Sequence, residues 1–230
     1  MPNIKKAELR FNIERKLPQS YGHKLRGFFA EKFEEVLFHH HKGDGDYMYS
    51  YPLIQYKIIE GIPVVISLAE GVDLIKDKFL DVEKLTLSQE EYRAPEIQLK
   101  VEKVKFTVVE TDQDMLKFKY DFITPWLGLN QNNFNRFMDE IIDKERQEKM
   151  NFLSEILIGN ILSCAKKLDW WVEKEIKVVP SLDSVNVKFK NQKMLGFKGK
   201  FYSNVRLPSF IGLGQSTARG FGTINRHRTF

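Results

Sequence analysis

Residues 51–68 read YPLIQYKIIEGIPVVISL, two apolar runs joined by Glu60-Gly61. Short runs rich in isoleucine, valine and tyrosine suit a pleated, half-buried surface, and a glycine at the join supplies the positive φ that a tight antiparallel turn needs. Strands are therefore expected over residues 51–59 and 63–68. On the N-terminal side, residues 22–41 place Leu25, Phe28, Phe29, Phe33, Val36 and Leu37 on one helical face, before Gly43 and Gly45 stop the pattern. Before that helix, Ala7, Leu9, Phe11 and Ile13 alternate with polar residues over 4–13, which reads as a strand. On the C-terminal side a short helix is expected over 71–80 and a long strand over 97–109. The resulting order, β-α-β-β-α-β, is the ferredoxin-like one.

The second half repeats the pattern. Residues 114–123 are strand-like. Residues 130–167 are helical, with Phe134, Phe137, Met138, Ile141 and Ile142, then Phe152, Leu153, Ile156, Leu157 and Ile161. Residues 171–179, 184–190 and 195–205 alternate as strands, 208–213 leave room for a very short helix, and 220–225 form the last strand. The expectation is an α+β chain of two tandem ferredoxin-like (RRM-like) domains. The N-terminal one spans 1–110 and carries a histidine turn; the C-terminal one spans 111–230 and carries a glycine-rich loop.

Composition bounds the function. Of 230 residues, 42 % are hydrophobic and 29 % charged, enough apolar surface for packed cores and unlike a disordered chain. The net charge of +5 favours an anionic partner. Eighteen phenylalanines serve either cores or base stacking. Cys164 is the single cysteine and lies in an apolar helical stretch, which excludes an internal disulfide and a cysteine-rich zinc site. The charged, alternating N-terminus has no signal-peptide core, and no run approaches the ~20 apolar residues of a membrane span. A cytoplasmic protein without membrane partners is expected.

Three features carry chemistry. The first is Gly212-Leu213-Gly214-Gln215-Ser216-Thr217-Ala218-Arg219-Gly220-Phe221-Gly222. Such a loop can turn backbone N–H groups outward, and Arg219 adds a fork of donors for phosphate oxygens. It is neither a Walker loop nor a dinucleotide fingerprint, because the Gly-Lys-Ser/Thr ending and the βαβ setting are missing. A ligand-free glycine hairpin is the plain alternative. The second is His39-His40-His41-Lys42. If the helix runs through, about 100° per residue puts His40 on the apolar face, His41 opposite and His39 at the edge. His39 or His41 then suits proton transfer and Lys42 suits stabilising phosphorane-like charge. Adjacent histidines do not converge on one ion, so no metal site and no cofactor is expected. The third is aromatic and basic interleaving, Tyr47, Tyr49, Tyr51 and Tyr56 with Lys57, then Lys198, Lys200, Tyr202 and Arg206, which suits single-stranded RNA as well as ordinary strand alternation.

Together these motifs resemble the CRISPR repeat-processing endoribonucleases of the RAMP superfamily. The glycine-rich loop looks like the family's signature. Leu25-Arg26-Gly27, followed by Phe38-His39-His40-His41-Lys42-Gly43, is similar to its first helix and catalytic-histidine turn. Residues 51–57, 124–130 and 158–163 look like segments of one bacterial branch. The resemblance implies tandem ferredoxin-like folds and metal-independent cleavage of the CRISPR repeat transcript, in which the RNA's 2′-hydroxyl attacks the adjacent phosphate to leave 2′,3′-cyclic phosphate and 5′-hydroxyl ends. His39 matches the family histidine best by position, with His41 and Lys42 beside it. Ala30 and Gly45 stand where described members carry tyrosine and lysine. Gly212, Gly214, Gln215, Ser216, Arg219, Gly220, Gly222 and Arg26 are the implied RNA contacts, and a CRISPR effector complex is an implied further partner. The competing class is a non-catalytic RNA-binding subunit of a CRISPR ribonucleoprotein, which needs the loop and the charge but no histidine.

Overall fold

Alternation decides β1 (Asn3–Asn12), where Ala7, Leu9 and Phe11 are wholly buried. The computed structural model describes residues 3–33, 50–94, 96–110, 116–189 and 192–227. The chain divides into two compact units. One gathers Asn3–Val104 with Thr217–Gly220, and the other gathers Lys105–Ser216 with Phe221–Phe230.

In the first unit, β2 (Ile54–Ile59) and β3 (Ile62–Leu68) pair antiparallel with Ile59 opposite Ile62. Glu60 (φ 54°) and Gly61 (φ 85°) between them are both left-handed, the two-residue turn whose twist matches the strands. The sheet order is β2-β3-β1-β6, with β6 at Glu96–Lys105. That is the ferredoxin-like arrangement, the first strand central and the fourth at its outer side. Helices α1 (Gly22–Lys32) and α2 (Glu70–Lys78) supply Leu25, Phe29 and Ile75 to the core under Leu9, Phe11, Tyr56, Ile58 and Val65. Phe29 is the hub: the rings of Phe11, Phe28, Phe33 and Tyr56 lie 5.4–6.1 Å from its own. A hairpin of β4 (Lys84–Leu87) and β5 (Glu90–Arg93) adds Leu85, Leu87 and Tyr92 to the same core, next to Val82 just before it.

The expected helix over 22–41 is shorter. Phe33 leaves the helix with extended backbone (φ −129°, ψ 133°), although its N–H still reaches the Phe29 carbonyl at 3.0 Å. The helical phase counted from Leu25 therefore does not carry beyond Phe33. His39, His40, His41 and Lys42 lie outside the described residues.

The second unit opens with β7 (Thr107–Val108) and β8 (Phe118–Trp126). Asn130 caps α3 (Gln131–Arg136) by accepting from the Asn133 N–H at 2.8 Å. A π-helical turn, Phe137–Ile141, separates it from α4 (Arg146–Lys167), so the expected continuous helix is two. The three strands expected over 171–205 are two long ones, β9 (Val178–Phe189) and β10 (Gln192–Ser203), with residues 171–177 outside any strand. β11 (Val205–Arg206) pairs with β7, and β12 is Ile224–Arg226. The sheet order β12-β8-β10-β9 is again ferredoxin-like. The short helix expected over 208–213 is absent; that stretch lies antiparallel to 222–224 through Phe210 N–H to Ile224 O at 2.7 Å and Ile224 N–H to Ile211 O at 2.9 Å. The core is aromatic: Tyr120 stacks on Phe201 at 4.8 Å, Phe122 on Trp126 at 5.6 Å, and Phe137 meets Phe197 edge-on at 5.7 Å. Phenylalanine thus serves largely to fill cores. Cys164 is buried, and no helix among the described residues is long and apolar enough to cross a membrane.

Candidate functional site

The glycine-rich loop is held from beneath by the end of β8. In the second unit, the Gly222 N–H donates to Pro125 O and the Gln215 N–H to Leu127 O, each at 2.8 Å, and Gln215 Nε2 donates to Leu129 O at 2.8 Å. The Leu213 N–H closes the loop onto Gly222 O at 2.9 Å, and the Thr223 N–H donates to Thr124 Oγ1 at 2.8 Å. Two glycines are sterically required. A Cβ at Gly214 (φ +88°) would stand 2.7 Å from Leu127 O, and one at Gly222 (φ +61°) 1.9 Å from Leu213 O. The loop was expected to turn its N–H groups outward. The structure corrects this for Leu213, Gln215, Gly220 and Gly222, whose N–H groups bond internal carbonyls. Gly212, Gly220 and Gly222 are buried, while Gly214, Gln215, Ser216 and Arg219 are half-buried.

The middle of the loop belongs to the first unit. Thr217–Arg219 make one 3₁₀ turn, and the Gly220 N–H (φ +93°) closes it on Thr217 O at 3.1 Å. This turn lies against the edge strand β2 and the start of α1. A Cβ at Gly220 would be 3.1 Å from Tyr56 O; one at Gly22 would be 2.6 Å from Arg219 O and 3.1 Å from Tyr56 O. Arg26 is one helical turn beyond Gly22 and so shares its face of α1. Its charge also reaches Tyr56, whose hydroxyl burial pushes up and Arg26 pulls down. The structure thereby brings Arg26 and the Arg219 turn, which lie near opposite ends of the sequence, to one edge of the sheet.

Both halves of the chain match known families. Residues 2–105 match the model of the Cas6b N-terminal domain and residues 112–227 that of the Cas6b C-terminal domain. The chain belongs to the Cas6b family. A crystal structure of Cas6b is 33 % identical and superposes with a TM-score of 0.88 over 97 % of this chain and 99 % of that one. A crystal structure of the CRISPR RNA processing endoribonuclease Cas6b is 31 % identical, with a TM-score of 0.76 over 98 % and 100 %. An uncharacterized protein of Methanocaldococcus jannaschii is 35 % identical over 148 residues, 64 % of this chain and 95 % of its own.

In this Cas6b-family chain, the two C-terminal segments noted from sequence meet in space. Trp126, wholly buried, donates its indole N–H to Asn160 Oδ1 at 2.9 Å, so residues 158–163 brace the strand end that carries the loop. Gly128 lies against the Trp126 ring, where a Cβ would be 2.3 Å from Cζ2. Sequence reading missed this support, although a tryptophan, a glycine and an asparagine in otherwise apolar segments were its visible signal. The aromatic interleaving divides. Tyr51, Tyr56 and Lys57 are buried and offer no stacking surface, which corrects that expectation; Tyr47 and Tyr49 lie outside the described residues. Lys198, Lys200 and Tyr202 are on β10, whereas Arg206 is on β11. Among the described residues no three His, Cys, Asp or Glu side chains gather as metal ligands.

Proposed function

We propose that this chain cleaves CRISPR precursor RNA within its repeats, without a metal ion, by attack of the 2′-hydroxyl on the adjacent phosphate. The observation that carries the reading is the match to Cas6b across both halves, together with the likeness over nearly its whole length to a CRISPR RNA processing endoribonuclease. RNA brings its own nucleophile, so the protein need only move protons and steady charge. The O2′–P bond forms as the P–O5′ bond breaks, a base takes the 2′ proton, and an acid protonates the leaving 5′ oxygen. His39 is assigned the acid or base role, with His41 as its alternative and Lys42 as the group that stabilises the phosphorane-like charge. Arg26 and Arg219, on one edge of the N-terminal sheet, are assigned to phosphate oxygens.

Cleavage of repeat RNA in excess EDTA is the test, with a substrate carrying a 2′-deoxy nucleotide at the cut site beside it. The expected result is full cleavage of the first, giving a 2′,3′-cyclic phosphate and a 5′-hydroxyl, and tight binding without cleavage of the second. Activity lost in EDTA and restored by a divalent ion would overturn the metal-free mechanism. Binding without cleavage of either substrate would leave a non-catalytic RNA-binding subunit.

A further inference from the structure

The C-terminal sheet turns Tyr120, Phe122 and Phe201 into its core. Alternation sends their neighbours to the opposite face, and the register orders them in rows. Tyr202 on β10 stands opposite Val179 on β9 and Lys119 on β8. The His227 N–H extends this row by bonding Lys119 O at 2.9 Å. The next row is Ser181, Lys200, Asp121 and Asn225. The His227 imidazole Nε2 pairs with the Asp121 carboxylate and ties the two rows together. Val179 is 57 % exposed, Lys198, Lys200 and His227 are exposed, and Tyr202, Lys119, Asp121 and Asn225 are half-buried. Nothing in the loop or in the assigned proton transfer uses this face.

Its chemistry is selective. Three lysines, Lys119, Lys198 and Lys200, face two carboxylates, and both carboxylates are already engaged: Asp121 by the His227 ring and Asp183 by Arg146 at 3.0 Å. An aromatic ring on a central strand, with cations one strand and two residues away, matches a base with phosphates on either side of it. We infer that this sheet face is a platform for a single-stranded stretch of RNA, on which Tyr202 stacks one base while Lys119 and Lys200 hold the flanking phosphates. The inference rests on the reading of the chain as an RNA-cleaving protein and extends it to how the strand outside the cut is held. The His227 ring, fixed by Asp121, presents its remaining edge to a neighbouring base.

The test measures affinity and single-turnover cleavage of a repeat RNA with single-stranded flanks, using the full chain. Tyr202→Ala should weaken binding by about 5- to 150-fold, the range for one base stacked on an aromatic ring. Tyr202→Phe should keep the affinity, and the rate at saturating protein should stay unchanged in both. The double variant Lys119→Ala/Lys200→Ala, whose side chains lie outside the core, should weaken binding and flatten its salt dependence. Wild-type affinity in Tyr202→Ala and in the lysine pair would overturn the platform while leaving cleavage intact. Failure of the wild-type chain to bind or cut repeat RNA would overturn the functional reading itself, and the platform with it.

Discussion

Lys57 shows how far a single residue departs from its sequence context. Set among tyrosines it reads as an exposed cation beside stacking rings, yet it is wholly buried on β2. Burial, helped by the nearby Lys6 charge, lowers its ammonium from 10.5 to about 7. Between those values the unfolded chain holds a proton that the folded chain has released, so raising the pH stabilises the fold by about 1.4 kcal/mol per pH unit. Below about pH 7 both states are protonated and the full cost of the buried charge remains. Lys57→Met should therefore gain most over the wild type at pH 6–7 and lose that advantage as the pH approaches 10, read from urea midpoints; a difference independent of pH would show that Lys57 keeps an ordinary pKa. The histidines call for a kinetic comparison. His39→Ala should lower single-turnover cleavage by about 10²–10⁴ and keep RNA affinity. Collapse in His41→Ala with full activity in His39→Ala would move the role two residues along.

At the scale of elements, what was legible followed from side-chain period, and what was not followed from partners distant in sequence. Alternation located β1, and Glu60-Gly61 located the β2–β3 turn, because both signals are local. The β4–β5 hairpin gave no such signal: its turn residues Ser88 (φ 53°) and Gln89 (φ 68°) are left-handed without being glycine or asparagine. The double substitution Ser88→Asn/Gln89→Gly installs the pair that such a turn favours. It should relieve the strain and raise the melting temperature by a few degrees, equivalent to about 1 kcal/mol. The stretch 208–213 resembles a helix only while its partner, residues 222–224, is ignored. The bed of the glycine-rich loop depends likewise on a distant strut. Asn160→Ala removes the acceptor of the buried Trp126 indole and should cost about 1–3 kcal/mol of stability. Asn160→Asp, which keeps an acceptor, should recover much of it, and equal melting temperatures for Asn160→Ala and wild type would show that the strut carries no load.

At the scale of the whole molecule, the glycine-rich loop is one motif in sequence and two in structure. Its ends are built into the C-terminal unit by Leu127, Leu129 and Pro125, and its Thr217–Gly220 turn groups with the N-terminal one. The tandem ferredoxin-like organisation was legible from the repeated order of elements; this division was not, because nothing local marks which sheet a loop residue joins. The net charge of +5 arises from 36 lysines and arginines against 31 acids, so no large excess draws RNA to the surface at random, and individual contacts decide the salt dependence of binding. Each phosphate contact to single-stranded RNA contributes about 0.7 to the slope of log affinity against log salt concentration. Arg219 sits on the exposed side of its 3₁₀ turn only in part, and its carbonyl is pressed against Gly22. Arg219→Ala keeps that backbone contact and removes the side chain beyond Cβ, the guanidinium with its methylene stem. It should therefore weaken repeat-RNA binding at low salt and reduce the slope by about 0.7. Gly22→Val should do the reverse in order of cause, lowering stability first because its side chain would collide with the Arg219 carbonyl 2.6 Å from Cβ. An Arg219→Ala slope and affinity equal to the wild type's would remove Arg219 from the phosphate contacts and leave the loop as a structural clasp.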